Sequence, residues 1–304
     1  KTPNDQSELD DLCATALTFL VFVYLKNENI FPNIDVIQYL DLVALATICD
    51  LVPLSEINRS FVKQGLKVIN SHSVNKGIKT LINQSKIKQQ ISEYHLGYIL
   101  GPRINAGGRM GESLLGYSLL SSDNIHQALQ LAQIIESHNQ NRQNIQTKIV
   151  KSINIKESED KNINFFFDKK WHIGIVGIIA GRLMRQNNKP SFVMTSSNEF
   201  VVGSGRSLGE KNIGQLMMNA AEKGIIIKGG GHAKACGFTL REDQIPDFRA
   251  YLYEETKDIS IKNEKYFESS IDLNVINDNL LKDLELLSPF GQKNPEPIFK
   301  VENV

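Results

Sequence analysis

This sequence of 304 residues lacks the features that mark several large classes of protein. It has only three cysteines, none in a C-x-x-C pair, so neither a disulfide framework nor a cysteine zinc site is predicted. The longest apolar run, residues 13–25, is too short to span a bilayer and predicts a buried helix. The first residues also lack the basic-then-apolar pattern of a secretory signal. A reducing cytosol, and hence a cytoplasmic location, is the simplest interpretation.

A net charge is missing as well, because 34 lysines and arginines balance 34 aspartates and glutamates. This balance argues against a histone-like general binder of nucleic acid, but it is compatible with local basic clefts. The sequence is 41% hydrophobic and 22% charged, which is typical of a globular protein. Its length suits two domains.

The apolar pattern changes twice along the chain. Residues 123–156 predict one long helix, whose middle, SHNQNRQN, is polar on every face. We therefore predict that this helix connects two bodies; the alternative is an exposed helix on a single domain. From residue 161, short apolar runs between glycines predict strands, and GIVGIIAGRLMRQNN predicts a helix among them, which together indicate an α/β domain. After about residue 263, clusters of turn residues indicate the opening of a third element.

Asp50 ends the very apolar run of residues 39–49 and lies three residues before Pro53. A buried carboxylate is costly unless it is paired or binds a metal. Because Mg²⁺ and Mn²⁺ prefer carboxylate oxygens, Asp50 is a candidate metal ligand. The alternative is a solvent-exposed residue in the turn that ends a helix.

A first basic segment, GPRINAGGRM, places Arg103, Asn105 and Arg109 among small residues. Small residues let a phosphate approach the backbone, and two guanidiniums can each grip it with two hydrogen bonds. The segment is therefore a candidate anion site. The alternative is a loop at a helix start, whose arginines make ordinary ion pairs.

A second basic segment, GSGRS, offers the Ser204 hydroxyl, the Gly205 backbone N–H and the Arg206 guanidinium. This combination suits a phosphate, although a single G-x-G is a weak signal and a β-turn is the alternative.

The most specific segment is KGGGHAKACGFTL, which begins at Lys228. Gly229, Gly230 and Gly231 can present consecutive N–H groups as an anion nest. His232 can donate a hydrogen bond to a phosphate oxygen or orient it, although a single histidine is more often structural. Because the three basic segments suit the same class of ligand, the sequence predicts a cradle for a phosphodiester.

Six segments taken together resemble the DHH phosphoesterase superfamily and, within it, the RecJ-type single-strand-specific exonucleases. They occur in the family's order and are LDLVALATICDLVPL, GPRINAGGRM, WHIGIVGIIAGRL, GSGRS, GGGHAKACGFTL and SPFGQKNPEPIF. The last is more typical of the RecJ type than of its small-substrate relatives. The resemblance implies an α/β fold with four parts: residues 1–122 as the C-terminal part of a DHH core with a parallel sheet, 123–156 as a connecting helix, 157–262 as a DHH-associated substrate-binding domain, and 263–304 as the start of an OB-type barrel.

The resemblance also implies a reaction, the hydrolysis of phosphodiester bonds from the 5′ end of single-stranded DNA with Mn²⁺ or Mg²⁺. It implies a role in DNA repair and recombination, with single-stranded DNA as the partner and a single-strand-binding protein or a helicase as further candidates. Metal-bound water would be the nucleophile.

Site roles follow from the resemblance by position. Asp50 matches the last metal-binding aspartate of the family core, and Ser204 and Arg206 match residues that hold the 5′-terminal phosphate. The glycine triplet and His232 match the substrate motif of the associated domain, and Asp50 and His232 are the predicted catalytic residues. The remaining matches, to a loop before the connecting helix, are Arg103, Asn105 and Arg109.

The family's D-x-D pair and its D-H-H triplet do not occur in this sequence, which begins about where the family has passed D-H-H. One carboxylate cannot hold two metal ions, so we expect the chain alone to be inactive or nearly so. Two alternatives stay open: a non-catalytic fragment that binds single-stranded nucleic acid or acts as a scaffold, and a DHH phosphodiesterase acting on short oligonucleotides.

Overall fold

The computed structural model describes residues 9–153, 162–209, 211–259 and 266–302. The chain divides into two compact units. The first comprises residues 1–107, 113–139 and 265–304, and the second comprises residues 108–112 and 140–264. One of the four points where the chain passes between the units falls between residues 139 and 140, inside the polar middle of the long helix, which runs from Ile125 to Ser152.

The first unit is helical over its described residues up to 139, where no strand occurs. A π-helical turn, His95–Leu100, leads directly into α5. A short 3₁₀ helix, Ile37–Tyr39, precedes α2. The helices are α1 (Ala14–Asn27), α2 (Leu40–Cys49), α3 (Glu56–Ile69), α4 (Lys76–Gln84), α5 (Gly101–Arg109), α6 (Leu115–Leu120) and α7 (Ile125–Ser152).

Helix α2 forms the centre of this unit because it is apolar on nearly every side. Its one buried charge, Asp41, accepts hydrogen bonds from the backbone N–H groups of Leu42 (2.6 Å) and Asn75 (2.7 Å). Helix α1 confirms the helix predicted for residues 13–25, but that helix is not buried throughout. The side chains of Val21 and Tyr24 are 54% and 61% exposed.

The C-terminal segment of the first unit contains two short parallel strands and one helix. They are β6 (Ser269–Ile271), β7 (Phe299–Val301) and α11 (Asp278–Leu286). The loop after α11 is hydrogen-bonded to the helical part of the unit. The Leu54 N–H donates to the Gln292 carbonyl (2.7 Å), and the Phe290 N–H donates to a carboxylate oxygen of Glu93 (2.8 Å).

The second unit is a five-stranded mixed sheet in the order β1-β2-β3-β5-β4. Strands β1 and β2 are parallel, and the other pairs are antiparallel. The strands are β1 (Asn164–Phe167), β2 (Ser191–Ser197), β3 (Phe200–Arg206), β4 (Lys228–His232) and β5 (Ala235–Leu240), and the helices are α8 (Val176–Asn187), α9 (Ile213–Glu222) and α10 (Ile245–Thr256).

Helices cover both faces of this sheet. One face packs Phe192, Phe238 and Phe248 with α9 and α10, and the other packs Val193 with α8 and the end of α7. The strands and the helix predicted from the sequence of this region are confirmed, and so is the α/β fold class. The division at residues 122, 156 and 262 stays a prediction. Among the residues that the structure describes, no helix combines the length and apolar character needed to cross a membrane.

Candidate phosphate-binding site

The segment GPRINAGGRM is helical rather than a loop, and it forms α5. Gly101 is required by packing, because a Cβ there would lie 2.4 Å from the Cys49 Sγ. Arg103 is engaged within the first unit: its Nε lies 2.7 Å from a carboxylate oxygen of Glu136, and its Nη1 donates to the Ile99 carbonyl. This is the ordinary ion pair of the alternative interpretation. Asn105 is exposed in the same unit.

Arg109 lies at the other end of the same segment and belongs to the second unit. Its Nη1 donates to the Gly174 carbonyl at 3.3 Å. The backbones are in close contact here, since a Cβ on Gly174 would come within 1.9 Å of the Arg109 carbonyl oxygen. The N-cap of the following 3₁₀ turn is His172, whose Nδ1 accepts the Gly174 N–H. Arg109 is thereby fixed beside the start of α8.

GSGRS lies in strand β3 and is not a turn. Its side chains alternate between the two faces, because successive residues of a strand point in opposite directions. Gly203 and Gly205 face the aromatic core, where an added Cβ would strike the rings of Phe238 and Phe192. Gly205 therefore has a packing role, and the use of its N–H as a phosphate donor stays a prediction. Ser204 faces the other side.

Arg206 and Ser204 face the start of α8. The Arg206 Nη1 donates to the Ser204 Oγ and to the Gly205 carbonyl, both at 2.7 Å. Ser204 Oγ in turn donates to the Cys236 carbonyl at 3.0 Å. Gly177 of α8 closes over this pair, since its Cβ would lie 3.1 Å from the Arg206 Nη2. The guanidinium is thus held in place by its hydrogen bonds within the protein.

The glycine triplet forms strand β4 at the edge of the sheet. Strand backbones point successive N–H groups in opposite directions, so the triplet cannot act as the predicted nest of consecutive donors. Gly231 has φ +149° and leaves no room for a side chain, as its Cβ would meet the Ala235 carbonyl at 2.3 Å. Gly230 instead opens to empty space.

Register brings Ser204, Arg206, Gly230 and His232 to one face. Arg206 pairs with Ala235, which pairs with His232, and Ser204 pairs with Gly237, which pairs with Gly230. Directly opposed residues of antiparallel strands share a face. Two inter-strand steps separate Arg206 from His232, or about 10 Å. Only the small side chain of Ala235 lies between them, and the neighbouring row is bare backbone at Gly230 and Gly237.

This arrangement is electropositive. Burial lowers the pKa of Arg206, Cys236 raises it, and the nearby guanidinium of Arg109 lowers it further. Burial also lowers the pKa of Arg109. Both groups stay protonated at neutral pH. Within the described part of the chain, neither guanidinium has a carboxylate partner, so two like charges lie close enough to repel each other, and a bound anion would offset that repulsion.

Asp50 lies in the first unit, as the exposed C-cap of α2. No cluster of three or more His, Cys, Asp or Glu side chains that could hold a metal exists among the described residues. A single exposed carboxylate does not make the donor set of a two-metal site. The residues present therefore do not fit the implied metal centre, and Asp50 stays a predicted ligand.

Sequence reasoning missed three residues that shape this face: Gly177, Gly237 and Lys228. Lys228 is exposed and shares the face of Gly230 and His232 by strand alternation. The alternation could have been read from KGGGH, had the triplet been identified as a strand. Gly177 could not, because its role depends on where α8 packs.

Two family models match the chain. The model of the DHHA1 domain matches residues 159–258, and the model of the RecJ OB domain matches residues 267–304. The single-stranded-DNA-specific exonuclease RecJ of Dickeya dadantii (strain 3937) is 31% identical over 283 residues, which are 88% of this chain and 49% of that protein. The protein of the same name from Escherichia coli (strain K12) is 31% identical over 293 residues, again 88% of this chain and 49% of the relative.

Solved structures agree in fold. The crystal structure of RecJ in complex with Mg²⁺ from Thermus thermophilus matches with a TM-score of 0.86 at 24% identity, covering 98% of this chain and 46% of that one. Its Mn²⁺ complex matches with a TM-score of 0.87 at 24% identity, covering 99% and 44%. The resemblance to RecJ-type exonucleases is confirmed, and the chain spans about half the length of the curated relatives it matches.

Proposed function

We propose that this RecJ-type chain supplies the strand-holding part of a single-stranded-DNA-specific 5′→3′ exonuclease, and that its second unit binds the 5′-terminal phosphate. The observation that carries the proposal is the pair of arginines, Arg109 and Arg206, which both lie near the start of α8, interact electrostatically and have no carboxylate partner within the described residues. A phosphate dianion would neutralise both and accept bidentate hydrogen bonds from each.

The chain's own residues have separate tasks in this function. Arg206, oriented by the Ser204 hydroxyl, grips the terminal phosphate, and Arg109 adds a second charge. The glycine surface at Gly230 lets the sugar-phosphate backbone lie against the sheet without steric hindrance. His232, on the same face as Arg206, donates to a phosphate oxygen and orients it. Fixing one end of the substrate in this way sets the position of the bond to be hydrolysed.

Hydrolysis itself requires more carboxylates than the described residues bring together. We therefore propose that Asp50 serves as one ligand of a Mn²⁺ or Mg²⁺ site in the family's full-length enzyme, and that these 304 residues alone do not turn over substrate. Cytoplasmic DNA repair and recombination is the setting we propose for the complete activity, with a single-strand-binding protein or a helicase as an expected partner. Robust release of nucleotides from a 5′-phosphorylated oligonucleotide by the chain with Mn²⁺ would refute the expected inactivity.

One observation favours a long strand over a small substrate. The RecJ OB domain model matches residues 267–304, and OB-type barrels bind extended single strands. The second candidate function is that of a non-catalytic fragment that binds single strands. It predicts the same binding results and differs only in whether the longer protein hydrolyses DNA.

The test is the binding of fluorescent oligothymidylate with either a 5′-phosphate or a 5′-hydroxyl end, measured by anisotropy at several salt concentrations. We expect the phosphorylated strand to bind more tightly, and Arg206→Ala to abolish that preference with a loss of about 1.5–3 kcal/mol. The variant should also reduce the salt slope by about one.

A matched control is Arg241→Ala. Arg241 is also in the second unit, but its exposed guanidinium forms an ion pair with Asp243 at 3.2 Å. Its removal should leave the preference for a 5′-phosphate unchanged. Equal binding of both strand ends by the unaltered chain would overturn the assignment of the terminal-phosphate site.

A further inference from the structure

We infer that Tyr94 and Tyr98 of the first unit form a stacking platform for unpaired bases of the bound strand. The inference rests on the proposed function, because it names where that strand's bases are held. The two side chains are 59% and 74% exposed. Their rings stack on each other, with centroids 5.0 Å apart and an interplanar angle of 27°.

The pair makes a further aromatic contact with the protein although it is exposed. Tyr94 also meets the buried ring of His95 edge-on, at a centroid distance of 5.9 Å and an angle of 83°. His95 is fixed by the Ser92 hydroxyl at 2.9 Å and by the Gln89 amide at 3.1 Å. An aromatic surface whose rotamers are already ordered loses little entropy when a base stacks on it.

The tyrosines lie on a turn that packs against the end of α2. Gly97 and Gly101 allow this close approach, since added Cβ atoms would lie 3.2 Å from the Ile48 Cγ2 and 2.4 Å from the Cys49 Sγ. Asp50, the proposed metal ligand, is the residue that directly follows α2. The tyrosine platform and the expected reaction centre therefore belong to adjoining helices of one unit. Packed helix axes lie about 8–10 Å apart.

The loop that precedes Tyr94 in the sequence adds positive charge. Lys86 and Lys88 are both exposed, and neither forms an ion pair among the residues that the structure describes. The nearest acidic side chain in sequence, Glu93, already accepts the Phe290 N–H. Stacked aromatic rings followed closely in sequence by exposed cations match the two components of a single strand, its bases and its phosphates, better than they match an apolar protein surface.

The chemistry predicts tolerance of base sequence. Every base has a π-face, so stacking on tyrosine adds affinity without reading hydrogen-bonding groups. Within the described part of the chain, neither tyrosine hydroxyl has a hydrogen-bond partner, and the rings rather than the hydroxyls are expected to carry the interaction. The conservative change to phenylalanine should therefore preserve binding.

The test compares two strands of equal length and equal 5′-phosphorylation, oligothymidylate and a fully abasic strand, on the 304-residue chain. We expect the chain to bind oligothymidylate about fivefold to a hundredfold more tightly than the abasic strand. The double variant Tyr94→Ala, Tyr98→Ala should bind both strands alike, at the affinity of the abasic strand. Tyr98→Phe should behave like the unaltered chain, and Tyr117→Ala, which removes another exposed tyrosine outside the pair, is the matched control.

Circular dichroism and thermal unfolding of each variant confirm that the fold is retained, as expected for exposed side chains. If the double variant still binds oligothymidylate more tightly than the abasic strand to the full extent, the inference of a stacking platform is wrong. Tyr94 and Tyr98 are then ordinary surface residues or contact a protein partner. The proposed function then stands, provided that Arg206→Ala still weakens both strands. If the unaltered chain binds neither strand, the proposed function fails and the platform fails with it.

Discussion

Adding one methyl group at Gly177 should weaken phosphate binding without weakening the fold. Gly177 is the second residue of α8, and a Cβ there would lie 3.1 Å from the Arg206 Nη2 and 3.2 Å from the Ser204 Oγ. Such distances are tighter than ordinary van der Waals contact, so the neighbour must shift by a few tenths of an ångström. The atom that can shift is the guanidinium, because it ends a flexible side chain.

Gly177→Ala should weaken binding of the phosphorylated strand, whereas it should leave the stability of the fold unchanged or increase it. A hydrogen bond to a charged group contributes about 1.5–3 kcal/mol, and a displaced but still charged guanidinium should lose about half of it. The dissociation constant for 5′-phosphorylated oligothymidylate should then rise roughly 3- to 13-fold. Stability should stay the same or increase by up to about 1 kcal/mol, since alanine is favoured over glycine in a helix.

The control is Gly181→Ala, the same change one turn along the same helix. A Cβ at Gly181 would meet only the Arg185 Nη1 and the Arg206 Cγ, both at 3.8 Å, which is ordinary contact. This variant should bind the oligonucleotide as the unaltered chain does. Fluorescence anisotropy measures binding, and urea unfolding measures stability. If Gly177→Ala binds as tightly as Gly181→Ala, the Arg206 guanidinium does not need its observed position, and the reasoning fails.

Three further predictions concern stability and are measured by urea unfolding. Gly231→Ala should lower the free energy of unfolding by about 2 kcal/mol or more, because Gly231 has φ +149° and its Cβ would meet backbone atoms. Gly230→Ala should be close to neutral, because its Cβ would meet open space. Equal losses for the two variants would contradict the strand geometry. Burial raises the pKa of the Asp41 carboxyl above the usual 3.8. The folded state therefore keeps the Asp41 proton to a higher pH than the unfolded chain does. As a result, the free energy of unfolding should fall as pH rises above 3.8 through the raised pKa. Asp41→Asn should remove that slope, and an unchanged slope would assign it to other groups. Arg103→Ala should cost about 1–3 kcal/mol by removing the charged hydrogen bond between Arg103 and Glu136, and Arg103→Lys should restore only part of that stability. A neutral Arg103→Ala would leave the arginine available for a ligand.

The glycine-rich segments illustrate why their local structure could not be predicted well from the sequence. The sequence indicated a loop for GPRINAGGRM and a nest of N–H groups for the triplet at Gly229, because glycine lowers the intrinsic preference for helix and strand. Tertiary packing overrides that preference at both places. Gly101 lets the turn approach Cys49, and Gly229 approaches the Cβ of Met217 on α9. These close contacts involve residues far apart in the sequence, which no local pattern encodes.

The candidate site residues also divide into those that sequence chemistry could select and those that only tertiary contacts reveal. Arg206 and His232 could be selected from sequence, because a cation or an imidazole between glycines is informative by composition alone. The exclusion of Arg103 from the arginine pair could not, since its partner Glu136 lies 33 residues away. Tyr94 and Tyr98 also escaped notice, because their spacing of four residues is equally typical of a buried helix face, and only their exposure distinguishes them.

The sequence by itself predicted the family and the α/β class, which are confirmed, and an anionic ligand, which stays a prediction, because ordered motifs and residue chemistry are properties of the chain. Only the tertiary structure decided which basic residues lie near one another. Strand register aligned Arg206 with His232, and the packing of α8 placed Gly177 over the guanidinium. The physical reason is that register and helix packing are set by contacts summed over the whole unit, and no short segment contains that information.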